Sequence, residues 1–99
     1  MQNIMFKLDS PRVSQAFKYR DRMTIITDIL KTVKNSSEGR RKTQIMQSAN
    51  LNYSQVKKYL GYLTDRGLLD VTEMQTYTIT NEGSSFLQFI EIQRIHSLR

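Results

Sequence analysis

Apolar positions along the chain change their period several times, and each change marks an element. Met23, Ile26, Ile29, Leu30 and Val33 recur at three- and four-residue steps, which predicts a core-facing helix over about 21–34. Asn35-Ser36-Ser37-Glu38-Gly39 is a run of turn formers. Thr43 then stands where it can cap a short helix running to about Ala49, with Ile45 and Met46 facing inward. Asn50 falls where the chain must reverse, and asparagine tolerates the left-handed backbone better than other residues with a side chain. Leu51 can fill the gap between two helices, and Asn52 can cap the second. That helix, about 53–65, carries Val56, Tyr59, Leu60 and Leu63 within about 100° of one another on the helical wheel. Gly67 ends it as the residue just past the cap.

The period then shortens. Residues 68–72 and 76–80 are rich in β-branched and aromatic side chains and flank Glu73-Met74-Gln75, which predicts a hairpin. Thr80 or Asn81 caps a last helix over about 82–97. Its apolar residues Phe86, Leu87, Phe89, Ile90, Ile92, Ile95 and Leu98 leave no wide polar face at ~100° per residue. A helix apolar all round is buried on more than one side. One small domain covers one side, so Phe89, Ile92, Ile95 and Leu98 are expected at the interface of a homodimer; packing against residues 1–20 of the same chain is the alternative. Ser10-Pro11 followed by Val13, Ala16 and Phe17 reads as a short helix or an ordered arm.

Short helix, sharp turn, longer helix and hairpin are the layout of a winged helix-turn-helix. The expected fold is mainly α with a small β-hairpin: residues 1–20 as an arm or short helix, 21–81 as the winged unit, and 82–99 as an added C-terminal dimerisation helix.

Charge turns this layout toward a partner. The net charge is +6 over 99 residues, and residues 1–66 hold 13 Lys and Arg against five acidic side chains. A basic face on a small domain suits a polyanion. Other chemistry finds little support. There is no cysteine and only one histidine, His96, so neither a disulfide framework nor a metal site is expected. Without a carboxylate pair or a phosphate-cradling glycine loop, an enzyme is not expected, nor is a cofactor. No apolar run approaches the ~18–20 residues that span a bilayer, and the first ten residues are too polar for a signal peptide. A soluble cytoplasmic protein, associated with the nucleoid, is expected.

On the outer face of the 53–65 helix, Ser54, Gln55, Lys58 and Tyr62 are the candidates for base contact. Gln can read adenine with two hydrogen bonds, and Lys can donate to guanine. Gly61 leaves a gap where a DNA backbone could approach. Arg40, Arg41, Lys42 and Thr43 at the start of the short helix, with Asn52 and Lys57, are the candidates for phosphate contact. Tyr53, Tyr59 and Tyr62 interleave with Lys57 and Lys58; stacking on single strands is conceivable, but packing is the more common role.

The run from Lys42 through Thr43, Ile45, Met46, Ala49, Asn50, Leu51 and Tyr53, then Tyr59, Leu60, Leu63, Gly67 and Leu68, then Thr80, Gly83, Phe86 and Leu87, resembles the motif of the archaeal winged-helix regulator-like family. The likeness covers about residues 22–92. That family includes small basic chromatin-associated proteins that dimerise through a C-terminal helix, and transcriptional regulators. The resemblance implies a winged helix that binds double-stranded DNA, usually as a dimer. Two features depart from the chromatin-associated members: the last helix is short for an extended coiled coil, and the wing tip, Glu73-Met74-Gln75, carries no cation.

Two functions are therefore in play. One is a double-stranded DNA-binding protein, either a transcriptional regulator or an architectural chromatin protein, with helix 53–65 in the major groove. The other is a winged-helix module for protein–protein contact within a transcription or replication assembly. The triplet Arg40–Lys42 favours the first, because a protein-binding module has no need of it.

Overall fold

The computed structural model describes residues 20–97, with side chains through Ile95. The element order is α1 (Arg22–Lys34), β1 (Arg40–Arg41), α2 (Lys42–Ser48), α3 (Tyr53–Asp65), β2 (Leu69–Val71), β3 (Thr76–Ile79) and α4 (Asn81–Ser97). The helix read over residues 11–19, and Leu98, lie outside the described residues.

α1 starts at Asp21, whose carboxylate accepts from the Thr24 N–H at 2.8 Å. Its buried stripe, Ile25, Ile26, Ile29, Leu30 and Val33, forms the floor of the core. Ile45, Ala49 and Leu51 from the helix-turn-helix, Val56, Leu60 and Leu63 from α3, Leu69 from β2 and Leu87 from α4 close over it. Met23, assigned to the stripe from its spacing, is 42% exposed and lies at the core's edge, beside a groove lined by Phe86 and Ile90.

Both helix ends around the turn close in the same way. After α3, Gly67 takes φ +75°, its N–H donates to Thr64 O at 3.1 Å, and the Leu68 N–H donates to Leu63 O at 2.9 Å. After α2, Asn50 takes φ +55°, its N–H donates to Gln47 O at 3.3 Å, and the Leu51 N–H donates to Met46 O at 2.9 Å. These are Schellman closures, one with the usual glycine and one with asparagine.

The sheet has three antiparallel strands in the order β1-β3-β2. The hairpin pairs Leu69 with Ile79 and Val71 with Tyr77. The outer strand β1, which the sequence pattern does not predict, pairs Arg40 with Tyr77 and Arg41 with Thr76. Gly39 leads into it at φ +90°, where a Cβ would come within 2.9 Å of Tyr77 O.

One cap assignment changes, and one alternative is settled. α2 begins at Lys42, so Thr43 lies inside the helix and does not cap it. The helix start is held instead by Gln44, whose side chain accepts from the Arg41 N–H at 2.9 Å. Arg41 has no side-chain acceptor to return the bond, so this is half a capping box. At α4 the cap is Thr80, whose hydroxyl accepts from the Gly83 N–H at 2.9 Å and donates to Gly67 O at 2.7 Å. Gly83 packs directly on Leu68 O, with no room for a Cβ.

Candidate nucleic-acid interface

The helix-turn-helix holds α3 with one face in the core and the other in solvent. Asn52 and Gln55 form a full capping box: the Gln55 N–H donates to Asn52 Oδ1 at 2.8 Å, and the Asn52 N–H donates to Gln55 Oε1 at 3.0 Å. Beyond this cap, Val56, Leu60 and Leu63 point inward. Ser54, Gln55, Lys57, Lys58, Gly61, Tyr62 and Asp65 are all exposed. Tyr53, Ser54, Lys57, Lys58, Gly61, Tyr62 and Asp65 line a shallow depression of about 690 Å³ along that face.

Of the candidates for base contact, Ser54, Lys58 and Tyr62 share this exposed surface. Gln55 is also exposed, but its carbonyl oxygen is committed to the cap. A two-bond reading of adenine needs that oxygen as well as the amide NH₂, so Gln55 is left with a donor alone unless the cap breaks. Gly61 has no heavy atom within 4 Å of where a Cβ would stand.

The candidates for phosphate contact divide. Lys57 is exposed on α3. Lys42, at the first turn of α2, sets its ammonium 5.2 Å from the centre of the Tyr53 ring and so bridges the starts of both helices. Arg41 and Thr43 are exposed. Arg40 is half-buried in β1, and its Nε is buried without a hydrogen-bond partner among the described residues. As a triplet at a helix start, Arg40 to Lys42 are separated by β1: Arg40 turns toward the sheet, while Arg41 and Lys42 stay outward.

Two cations escaped the sequence reading. Arg66, at the C-cap of α3, stacks 5.1 Å from the Tyr62 ring centre. The four-residue spacing of Tyr62 and Arg66 on one helix was the available signal. Arg20 lies behind the turn and bonds to backbone carbonyls, for which no side-chain pattern exists.

The wing contributes no cation at its tip. Its turn is fixed by Thr72, which exchanges a hydroxyl bond with Thr76 at 2.7 Å, and by Gln75 at φ +64°. Glu73 and Met74 are exposed, Met74 at 72%. α4 buries Leu87 and Ile90 but leaves Phe89 at 59%, Ile92 at 45% and Ile95 at 63% exposed. Met23, Phe86, Phe89, Ile90, Gln93 and Arg94 line an apolar groove there of about 360 Å³. Among the described residues no cluster of acidic, His or Cys side chains could hold a metal ion, and no helix is long and apolar enough to cross a membrane.

Three likenesses to known proteins agree with this geometry. The model of the winged helix-turn-helix family matches residues 19–98. An uncharacterized protein of Methanocaldococcus jannaschii is 42% identical over 72 residues, which is 73% of this chain and 33% of that protein. The chain thus spans about a third of the length of that relative. The crystal structure of Sso10a-2, a DNA-binding protein from Sulfolobus solfataricus, superposes with a TM-score of 0.59 at 31% identity, covering 80% of this chain and 88% of the other. The chain belongs to an archaeal family of winged helix-turn-helix proteins.

Proposed function

We propose that the chain binds double-stranded DNA, with α3 laid in the major groove and α4 pairing two copies into a homodimer. The observation that carries this reading is the outer face of α3: a capped helix presenting Ser54, Lys57, Lys58 and Tyr62 around an uncovered glycine. A helix ~10–12 Å across fits a groove ~12 Å wide. Lys42, Arg41 and Arg66 flank that helix and suit the phosphates on either side. The structural likeness to a DNA-binding protein supports the same assignment.

The committed oxygen of Gln55 weights α3 toward backbone contact over base reading, while the acidic, cation-free wing tip leaves the phosphate contacts to the helices. The protein then serves chromatin architecture or transcription regulation on the nucleoid of the cytoplasm, without catalysis. The exposed Phe89, Ile92 and Ile95 supply the dimer face.

Titrating random duplex DNA at several salt concentrations tests the core of this proposal. Neutralising four to six phosphates gives a log–log salt slope of roughly −4 to −5 per bound domain. Absence of salt-dependent binding would instead favour a protein–protein module. Selection from a random DNA pool separates the two DNA roles: an enriched motif means a regulator, and no enrichment means an architectural protein.

A further inference from the structure

We infer that Arg20 is a positioning residue for α3, acting as a strap that locks the helix-turn-helix turn against α1. This rests on the proposed DNA binding only for its functional consequence; the strap itself is a matter of geometry.

The turn after α2 has a problem that the turn after α3 does not. Asn50 takes φ +55°, a conformation that is strained for residues with a side chain and is kept only where the surroundings enforce it. Its Schellman bonds use the carbonyls of Met46 and Gln47. The carbonyls of Ala49 and Asn50, just past them, also lie at the negative end of the helix. Arg20 takes both: its Nη2 donates to Ala49 O at 2.7 Å and to Asn50 O at 3.0 Å. Its Nη1 donates to Asp28 Oδ2, also at 2.7 Å. Asp28 stands on the second turn of α1, so it anchors the planar guanidinium and aims its other nitrogen at the turn.

One side chain therefore ties three segments: the approach to α1, the body of α1, and the joint that sets the angle between α2 and α3. Only arginine has a rigid fork of donors that can span a carboxylate and two carbonyls together. A small change at this joint is carried directly into α3, whose outward-facing residues begin at Ser54. Arg20 thus adds to DNA binding without meeting DNA, and its charge is spent on Asp28 and the turn.

The test uses the full chain with Arg20→Ala, Arg20→Lys, Asp28→Ala and the Arg20→Ala/Asp28→Ala double variant. In the free protein, amide exchange at Asn50 and Leu51 should quicken in all four, while Thr78 in β3 stays protected. Duplex affinity should fall about tenfold in Arg20→Ala, the scale of losing a charged hydrogen-bond set. The salt slope should not change, because no phosphate contact is removed. The double variant should cost less than the sum of the two single variants.

A slope reduced by about 0.9 in Arg20→Ala would overturn the inference, since that marks a lost phosphate contact. So would unchanged exchange at Asn50 and Leu51. Faster exchange with wild-type affinity would reduce the strap to fold stability alone and overturn the positioning role. If wild-type protein bound no duplex at any salt, the proposed function would fail on its own, and with it the positioning role, while exchange at the turn would still report the strap.

Discussion

Two helices of this molecule, α3 and α4, each leave half of their surface outside the core, and what they leave there is opposite. α3 buries Val56, Leu60 and Leu63 and presents lysines, a serine, two tyrosines and a bare glycine. α4 buries Leu87 and Ile90 and presents Phe89, Ile92 and Ile95. The core accounts for the inner face of both. Neither outer face is required by the monomer, and on α4 the exposed apolar surface is a cost in water. Under the proposed function the contrast corresponds to two partners: a hydrated polyanion for the first, and an apolar surface of like kind for the second.

The largest effect should come from the apolar side. Ile92→Glu with Ile95→Glu is expected to turn a dimer into a monomer whose circular dichroism keeps the helical signal. Full burial of each isoleucine contributes roughly 1.5–3 kcal/mol, counted twice under two-fold symmetry and set against the association cost. Losing the linked second domain should weaken duplex binding by about a hundredfold or more. Wild-type protein sedimenting as a monomer at tens of micromolar would break the comparison on this side.

The cationic side divides into finer steps. Replacing Arg41, Lys42 and Lys57 with Ala should flatten the salt slope by roughly 2.7, about 0.9 for each lost phosphate contact. Arg40→Ala should behave differently. Arg40 is half-buried beside β3, so its loss should lower thermal stability more than it lowers the slope. Equal slope changes for Arg40 and Arg41 would show that the two point the same way in solution.

Gly61 gives the sharpest reading of what α3 is for. A glycine inside a helix costs about 0.8–1 kcal/mol relative to alanine. Nothing within 4 Å of its missing Cβ needs the space. Gly61→Ala should therefore raise the unfolding midpoint, and it should weaken duplex binding if a DNA backbone or base edge approaches there. A variant that is more stable and binds as well as wild type would remove α3's midpoint from the contact surface.

How much of this was legible follows from what each feature rests on. The helices declared themselves through apolar spacing, and both turn residues, Asn50 and Gly67, through their tolerance of positive φ. β1 did not. Two arginines carry no alternation, and their strand exists only because β3 is already in place to receive it. Gly39, pressed against Tyr77 O, was the one local trace of that approach. The start of α2 also differs from its expected cap: Thr43 lies inside the helix, and the bond runs from Arg41 N–H to Gln44. The outer residues of α3 followed directly from its inner ones. That Gln55 serves the cap before it can serve DNA was implicit in the spacing Asn52-x-x-Gln55, the same pattern that marks a helix start.

The smallest effect concerns how α1 is anchored beneath both faces. Asp21 caps α1, and the Thr24 N–H donating to its carboxylate holds that group below the ordinary aspartate range, with lesser help from the Thr24 hydroxyl and the charge of Arg94. Because the folded pKa is the lower one, the unfolded chain binds the proton first as the pH drops. The cap's contribution is thus complete above the ordinary value of about 3.9 and disappears as the pH falls through the lowered folded value. Asp21→Asn keeps a good capping oxygen and removes the titration. Thermal melts at neutral pH should then nearly coincide with wild type, while the acid-side decline of the melting point becomes shallower. An acid limb identical in the two proteins would show that the cap is frayed in solution, and that the packing of Ile25, Ile26 and Ile29 alone holds the start of the helix on which α3 and α4 both rest.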